Sequence, residues 1–552
     1  MSAPDRRPLL SECIGDPQPP YETSLWSVLQ AGLDLNPNSA ALISVRQGPS
    51  HLANLVGSSP DPTDRGVEHD HGDSDAEMLK WSYAQMQRGA ARMSTVLARH
   101  GISPESTLLT LIPQCAEWTL LLWTAAVHRL TTVSRMAQVL LLKEKKGELR
   151  AWFERMTPAA VVVEDENGAK IVDELRRDLR ADQSAPFLGI CLKELSETKQ
   201  SWISMADINR LSFTEEESTV STVEDRLDRV VHVYLTSGTS GTPKGVMRTV
   251  RNICASSSVL TAPPTIGPAV GGNFAGMAMT VPYLLWRRGG TLVLPGPSFS
   301  WSQTIHAIEA CGITEMCMMR GHVGLMTGDK AFSPERIRSL RWLIVTGELM
   351  TEAFVHKARK ALGSGRVTIS CVLAMSEVSG ILGWPNRPPD PLPAHQGVVS
   401  SGMATRGTRV RIVDENEAVV ARGQEGELHV GSDGLTPGYT AVMGSLQEDR
   451  RLAFYEDDLG RWFKTGDMAV MDEQGRVYMV GRKKELIRNI SGVVIHPHLI
   501  ESCLSARFNV QVCLFVVFLE PHDMTDGSED ADHWPPIPDA RAGPVSDFGA
   551  TP

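Results

Sequence analysis

Short apolar runs alternate with amphipathic segments along most of this chain. Residues 108–112, 159–163 and 291–294 each have the pattern of a buried strand. From Trp81 onward, apolar side chains recur at helical spacing, and the apolar stretch 118–127 predicts a core helix. Strands that alternate with helices indicate a layered α/β fold, in which helices cover the faces of sheets. No internal repeat is visible.

The size of the chain predicts more than one domain. At 552 residues and 60.3 kDa it can form a large α/β core and an additional smaller unit. The stretch 57–79 is polar and rich in Asp, His and Gly, which predicts a solvated loop inserted early in the main domain. Residues 521–552 are rich in Asp, Pro and Gly and predict a disordered tail.

Charge and cysteine usage narrow the class of partner. The net charge of −11 argues against nucleic acid or an anionic membrane surface as the main partner. Nine scattered cysteines include no Cys-x-x-Cys pair, so neither a disulfide framework nor a zinc site is indicated. No apolar run reaches the length of a signal core or of a membrane span. We therefore expect a cytoplasmic protein without a membrane span.

One glycine- and hydroxyl-rich turn carries most of the functional information. An apolar strand at 230–235 leads into a turn that contains Lys244. Glycines let the backbone approach an anion, hydroxyls donate hydrogen bonds, and a lysine adds a mobile positive charge. A P-loop is excluded because only two residues separate Gly241 from Lys244, and Gly245 replaces the required hydroxyl. The pattern predicts a different phosphate-binding turn.

This turn resembles the phosphate-binding signature of the adenylate-forming (AMP-binding) superfamily, on the acyl-CoA synthetase and 4-coumarate:CoA ligase branch. The resemblance implies that ATP activates a carboxylic acid as an acyl-adenylate, which passes to the thiol of coenzyme A or of a carrier-protein phosphopantetheine. It also implies that Thr236 helps to hold Mg²⁺ and that Lys244 neutralises the phosphates. The residues that carry the resemblance are Thr236, Ser237, Gly238, Thr239, Ser240, Gly241, Thr242, Pro243, Lys244 and Gly245.

Two later segments match the same family in order. In 343–350, the resemblance places Thr346, Gly347 and Glu348 beside the adenine. In 371–377 it places Leu373, Ala374 and Met375 at the nucleotide, Ser376 facing the α-phosphate, and Glu377 on Mg²⁺. A carboxylate oxygen is the type of ligand that magnesium selects. In isolation, Ser376-Glu377 would more often begin a helix than bind a metal.

The last matching segments lie near the end of the chain. The resemblance assigns Asp467 and Arg482 to the ribose hydroxyls, and Lys484 to the hinge about which a C-terminal domain rotates. We therefore predict a large multi-layer α/β domain over 1–480 and a small, truncated α+β domain over 481–520. We count Thr236, Lys244, Glu377 and Lys484 as the catalytic set.

Several residues depart from the family pattern. Leu373 replaces the aromatic side chain that stacks on adenine, and Val250 replaces a histidine that usually follows the turn. No lysine follows Lys484, although the family has a late lysine that contacts the carboxylate and the α-phosphate. Two classes stay open. One is an ATP-dependent acid–thiol ligase, and the other is a degenerate member that binds nucleotide without catalysis.

The acid pocket is indicated by two segments, 271–279 and 316–322. Small residues and methionines in them favour an aliphatic acid of small or medium size, of the kind met in secondary metabolism. If a cationic side chain faces inward, it can pair with a further carboxylate of a polycarboxylic substrate; otherwise both cationic candidates lie at the surface. The candidate pocket residues are Phe274, Met279, Met319, Arg320 and His322. A carrier protein or a peptide-synthetase carrier domain is a possible partner.

Overall fold

The computed structural model confirms a layered α/β architecture. The part of the chain that the structure describes comprises residues 9–57, 78–135, 146–179, 185–197, 201–236, 244–259, 263–269, 276–297, 299–363, 365–385, 387–441, 453–488, 494–497 and 500. Of the predicted domains, 501–520 and the tail 521–552 lie outside these residues, and the boundary after residue 480 stays a prediction.

The α-helices in the described part of the chain all lie between Leu25 and Ala361. Their bounds are α1 Leu25–Leu35, α2 Ala53–Val56, α3 Tyr83–Arg99, α4 Ala116–His128, α5 Lys146–Met156, α6 Glu166–Asp178, α7 Met205–Arg210, α8 Val250–Ser258, α9 Gly276–Trp286, α10 Trp301–Cys311, α11 Arg320–Gly328 and α12 Glu352–Ala361. Short 3-10 helices span Glu216–Ser218 and Lys483–Glu485.

Strands alternate with these helices up to β15 and then follow one another directly. Their bounds are β1 Glu12–Ile14, β2 Ala40–Ser44, β3 Leu79–Ser82, β4 Thr107–Leu111, β5 Thr131–Arg135, β6 Ala160–Val163, β7 Leu188–Cys191, β8 Trp202–Ser204, β9 Val230–Thr236, β10 Lys244–Thr249, β11 Ile266–Pro268, β12 Thr291–Leu294, β13 Glu315–Met319, β14 Trp342–Thr346, β15 Thr368–Cys371, β16 Leu382–Gly383, β17 Ala394–His395, β18 Val398–Val399, β19 Met403–Ala404, β20 Thr408–Val413, β21 Glu425–Ser432, β22 Tyr439–Ala441, β23 Phe454–Asp457, β24 Gly460–Met471, β25 Val477–Arg482, β26 Ile487–Arg488 and β27 Val494–Ile495.

The largest sheet has eight strands in the order β22-β10-β9-β5-β4-β6-β7-β8. Strands β9, β5, β4, β6, β7 and β8 run parallel to one another. At one edge, β10 pairs antiparallel with β9, and β22 pairs antiparallel with β10. Central parallel strands are buried on both faces, which explains continuous apolar runs such as Ala160–Val163. The predicted phosphate-binding turn connects β9 to β10 near this edge.

The described residues form three further sheets of three or more strands and three two-stranded sheets, β16-β19, β17-β18 and β26-β27. One four-stranded sheet has the order β11-β12-β2-β3, and β13-β14-β15 form a parallel sheet. A six-stranded antiparallel sheet contains β1, β20, β21, β24 and β23, with β25 paired to β24. The turn from Asp472 to Gly475 joins β24 to β25 in an antiparallel hairpin.

Two local expectations need correction near residue 80. Trp81 does not begin a helix but lies in β3, and α3 begins at Tyr83 because Ser82 caps its N-terminus in a reciprocal capping box with Gln85. The solvated loop 57–79 ends earlier than predicted, because Leu79 is already fully buried in β3. Residues 58–77 of that loop lie outside the described part. The core helix predicted at 118–127 is confirmed as α4.

Candidate functional site

The predicted phosphate-binding turn connects two antiparallel strands. Strand β9 ends at Thr236 and β10 begins at Lys244, and the two residues are directly opposite each other in the ladder. A hairpin brings them together because its connection begins and ends on neighbouring strands. The connecting residues Ser237, Gly238, Thr239, Ser240, Gly241, Thr242 and Pro243 lie outside the described part, as does the side chain of Thr236.

Lys244 and Glu377 meet at a shared tyrosine. The Lys244 Nζ atom lies 5.5 Å from the centre of the Tyr439 ring, and the Tyr439 hydroxyl donates a hydrogen bond of 2.9 Å to Glu377 Oε1. Tyr439 is buried and begins β22, the strand beside β10. The lysine and the carboxylate of the predicted catalytic set therefore belong to one cluster. Tyr439 was missed in the sequence because it lies in none of the recognised motifs.

Glu377 projects from a tight turn that follows β15. The amide of Met375 donates to the carbonyl oxygen of Val378, and Leu373 is bridged to Leu382 across the base of the turn. Ser376 and Glu377 are partly exposed, and Ala374 is exposed. No helix begins at Ser376 or Glu377. The segment presents the Ser376 hydroxyl and the Glu377 carboxylate from a short loop.

The backbone of this turn accepts hydrogen bonds from Arg248. This arginine lies on β10, is fully buried, and donates hydrogen bonds to the carbonyl oxygens of Glu377 at 3.0 Å and Ser376 at 3.4 Å. The amide of Thr436 also donates to the Glu377 carbonyl oxygen, at 2.8 Å. No sequence motif marks Arg248 as functional, because its role depends on a contact between distant segments.

The proposed adenine segment lies at the end of β14. Thr346 is buried at the last position of the strand, and Gly347 has φ +81°, a conformation that side chains disfavour. Glu348 follows on the surface of the turn. Its carboxylate accepts a hydrogen bond of 3.0 Å from Arg320, the first residue of α11. Arg320 therefore already has an acidic partner within the chain.

Asp467 and Arg482 are brought together on neighbouring strands. They are opposite each other in the β24–β25 ladder, and Arg482 Nε lies 2.9 Å from Asp467 Oδ1. Burial raises the pKa of Asp467 to about 6. Arg482 opposes that rise, and Glu377 adds to it. The influence of Glu377 on Asp467 links the two predicted nucleotide-binding carboxylates in one electrostatic site.

The predicted hinge residue, Lys484, comes shortly after Arg482 in the chain. It is exposed in the 3-10 helix Lys483–Glu485. Its neighbour Lys483 contacts Glu427 at 2.6 Å, and Glu427 also accepts a hydrogen bond from the amide of Gly466. Burial raises the pKa of Glu427, but hydrogen bonds from His429 and Lys483 outweigh it and lower the pKa to about 2. An ion pair therefore joins the hinge segment to the turn before Asp467.

An apolar recess lies beside the start of α9. Its cavity volume is about 10 Å³, room for about one water molecule. A Cβ added to Gly276 at the helix start would lie 3.0 Å from the Tyr234 ring and 3.4 Å from Ser376 Oγ. None of the described side chains that line the recess is charged. The lining residues are Pro268, Ala269, Met277, Ala278, Val281, Pro282, Leu292 and Cys317.

The predicted acid-pocket residues are dispersed around this region. Met279 is buried in α9, whereas Met319 is 38% exposed. His322 is partly buried against the rings of Phe299 and Trp301, at 5.6 and 5.5 Å between ring centres, and burial lowers its pKa. Phe274 lies outside the described residues.

The donor set fits Mg²⁺ bound together with a nucleotide. Among the described residues, no group of three His, Cys, Asp or Glu side chains can hold a metal by itself. Mg²⁺ is usually bound by one or two carboxylates together with substrate phosphates and waters. Glu377 is the candidate for such a carboxylate; it shares Tyr439 with Lys244 and interacts electrostatically with Asp467. The arrangement matches a metal that arrives with a triphosphate.

Comparison with known proteins agrees with this geometry. The model of the AMP-binding enzyme family matches residues 69–440. The chain therefore belongs to the AMP-binding enzyme family, and its relatives place it among the adenylate-forming acyl–CoA ligases. The family uses ATP. In the part of the chain that the structure describes, no helix is both long and apolar enough to span a membrane.

Individual relatives show the range of the similarity. An acyl–CoA ligase of Pestalotiopsis microspora is 27% identical over 511 residues, which cover 90% of this chain and 84% of the relative. A 4-coumarate–CoA ligase of Arabidopsis thaliana is 23% identical and covers 77% of this chain and 73% of its own length. The solved structure of the anthranilate CoA ligase AuaEII with anthranoyl-AMP has a TM-score of 0.67 at 19% identity, covering 89% and 83% of the two chains. That structure supports the fold.

Proposed function

We propose that this enzyme activates an aliphatic carboxylic acid with ATP and transfers the acyl group to a thiol. The observation that carries the proposal is the cluster of Lys244, Tyr439 and Glu377, with the Asp467–Arg482 pair beside it. A mobile cation, a metal-binding carboxylate and a ribose-binding carboxylate are the groups that bound Mg-ATP requires.

In the first step, an oxygen of the substrate carboxylate attacks the α-phosphorus. The bond between this phosphorus and the bridging oxygen breaks, and pyrophosphate leaves with the electron pair. Lys244 stabilises the negative charge on the phosphates, Glu377 holds the metal, and Asp467 orients the ribose. Mg²⁺ supplies charge neutralisation when it is bound. Catalysis in this step is positioning and electrostatic stabilisation.

In the second step, a thiolate attacks the acyl carbon and AMP leaves. We propose coenzyme A as the acceptor, with a carrier-protein phosphopantetheine as the other candidate. The similarity to acyl–CoA ligases supports coenzyme A. Incubating the enzyme with preformed acyl-adenylate and either thiol identifies the acceptor. Thioester formed only with the carrier protein contradicts the choice of coenzyme A.

The first step is tested by Glu377→Gln. This substitution removes the metal-binding charge but leaves a side chain that can still accept the hydrogen bond from Tyr439. Acid-dependent release of pyrophosphate should fall below detection while the melting temperature is retained. Glu174→Gln, an exposed position on α6, is the control and should turn over normally. Unchanged turnover in the Glu377→Gln protein contradicts the assignment.

We propose an aliphatic acid of small or medium size, as met in secondary metabolism, and the apolar character of the side chains beside the start of α9 supports its aliphatic nature. Arg320 has its acidic partner in Glu348, so the chain itself supplies the counter-charge that a polycarboxylic substrate was expected to provide. Profiling the enzyme and Arg320→Met against fatty, aromatic and di- or tricarboxylic acids tests this. Arg336→Met is the control because Arg336 forms a similar surface pair with Glu309. A preference for polycarboxylic acids that is lost only in Arg320→Met overturns the proposal.

A second candidate function is nucleotide binding without catalysis. It is favoured by Leu373, a partly exposed aliphatic side chain at the predicted adenine position. Tight Mg-ATP binding without pyrophosphate release for any acid identifies this case. For either function we propose a cytoplasmic location. The cysteines that the structure describes are free thiols, which agrees with a reducing compartment.

A further inference from the structure

Arg248 is placed where a cation is costly. Its side chain is fully buried, and its Nε atom has no hydrogen-bond partner among the described residues. No described carboxylate lies within ion-pair distance of it, and its closest aromatic contact is Tyr234, with the guanidinium 6.0 Å from the ring centre. Burial lowers the pKa of Arg248, although Tyr234 and Glu377 oppose this effect. An apolar side chain of similar length would serve packing at least as well.

The hydrogen bonds that Arg248 donates to described residues all end on one short turn. Nη1 donates to the carbonyl oxygens of Ser376 and Glu377, and Nη2 donates to Ser379 Oγ at 3.1 Å. The planar guanidinium can hold three acceptors in a fixed arrangement, which an ammonium cannot do. The turn that bears Ser376 and Glu377 is therefore fixed to β10.

The same strand begins with Lys244. Strand β10 runs from Lys244 to Thr249, so the lysine and the guanidinium are four residues apart on one rigid element. Thr436 adds a second connection, since its amide donates to Glu377 and its hydroxyl donates to the Met247 carbonyl oxygen. The distance between the phosphate-binding lysine and the metal-binding carboxylate is thus set through the backbone of β10.

We propose that Arg248 is a positioning residue that holds Ser376 and Glu377 in register with Lys244. The inference rests on the proposed function, because it assigns Arg248 a role in the adenylation step. In this role Arg248 contacts neither the nucleotide nor the metal. It acts through the two carbonyl oxygens and the Ser379 hydroxyl, and its removal leaves Glu377 held by its hydrogen bonds from Thr436 and Tyr439.

The test compares Arg248→Met with Arg248→Lys and a matched control. The control is Arg288→Met, because Arg288 is also buried and also donates to backbone carbonyl oxygens, those of Leu284 and Pro263. Three quantities are measured in each full-length protein. They are kcat/KM for pyrophosphate exchange into ATP, the Mg²⁺ concentration at half-saturation, and amide hydrogen exchange of the peptide 373–382.

We expect Arg248→Met to lower kcat/KM by about 10²-fold, because a misplacement of about 1 Å costs that much. Its Mg²⁺ half-saturation should rise, and residues 373–382 should exchange faster. Arg248→Lys should fall between wild type and Arg248→Met, since one ammonium can replace part of the fork. Arg288→Met should change none of these quantities beyond about twofold. Equal effects of Arg248→Met and Arg288→Met would show a general packing role and overturn the proposal.

Two further outcomes are decisive. If Arg248→Met does not fold, the proposal is tested by the Mg²⁺ requirement of the Arg248→Lys protein. A higher Mg²⁺ requirement in it supports the proposal, and an unchanged requirement overturns it. If wild type shows no exchange with any acid, the proposed function fails by itself. Amide exchange then decides the role of Arg248: faster exchange confined to 373–382 supports positioning, and an unchanged rate overturns it.

Discussion

Nucleotide binding should depend on pH through Asp467. The pKa of this carboxyl is raised to about 6, so the ionised form that accepts ribose hydroxyls is lost as the pH falls below that value. Each further pH unit lowers the ionised fraction about tenfold, which predicts an ATP dissociation constant about tenfold higher at pH 5 than at neutral pH. The same shift makes this group stabilise the fold below its unfolded pKa of 3.8, an effect lost as the pH rises through about 6.

Substitution of Arg482 is expected to change the pKa of Asp467. Arg482 Nε lies 2.9 Å from Asp467, but the arginine side chain is 53% exposed, so solvent screens the attraction to about 1 kcal/mol. Its removal in Arg482→Gln should therefore raise the pKa of Asp467 by about 0.7 units. The midpoint of ATP binding against pH should move upward by that amount.

Isothermal titration calorimetry with Mg-ATP between pH 5 and pH 8, a range of about three units around the shifted pKa, measures this midpoint. Asp467→Asn is the control, because it cannot ionise and should show weak binding with no inflection near pH 6. A midpoint that stays in place, or moves downward, in Arg482→Gln would refute the electrostatic coupling of the two residues.

Three further substitutions probe the same site. Leu373→Tyr restores an aromatic surface for adenine and should tighten Mg-ATP binding by about 1–3 kcal/mol, measured by calorimetry; unchanged or weaker binding contradicts the predicted adenine position. Tyr439→Phe keeps the ring over the lysine but removes the hydrogen bond to Glu377, which should weaken Mg-ATP by about 1.5 kcal/mol or more; equal affinity contradicts a role for that bond. Gly276→Ala places a Cβ 3.0 Å from the buried Tyr234 ring and 3.4 Å from Ser376 Oγ, so the start of α9 must shift away from Ser376 and adenylation should slow. An unchanged adenylation rate would show that the start of α9 does not contribute to the site.

Local patterns in the sequence predicted the parts of the site that depend on a strand and its adjoining turn. The hairpin that pairs Thr236 with Lys244, and the ladder that pairs Asp467 with Arg482, agree with the motif order. The roles assigned to these residues stay predictions. Strand β14 and the turn after it also lie where the apolar run 343–345 places them.

The sequence could not predict contacts that depend on packing between distant segments. Arg248 reaches Glu377 across 129 positions, and Tyr439 reaches it across 62, and neither residue lies in a recognisable motif. Arg320 was expected either inside the pocket or at the surface. Its partner Glu348 could be identified only once β13 and β14 were seen side by side. Such pairings are set by the fold as a whole.

The most direct test of the central claim is Mg²⁺-dependent exchange of labelled pyrophosphate into ATP. The wild-type enzyme is assayed with a panel of aliphatic, aromatic and polycarboxylic acids, with and without Mg²⁺. We predict exchange that requires both the metal and an aliphatic acid and that is lost in Glu377→Gln. Absence of exchange with every acid, in a protein that binds Mg-ATP, would contradict the assignment of this chain as a working acid–thiol ligase.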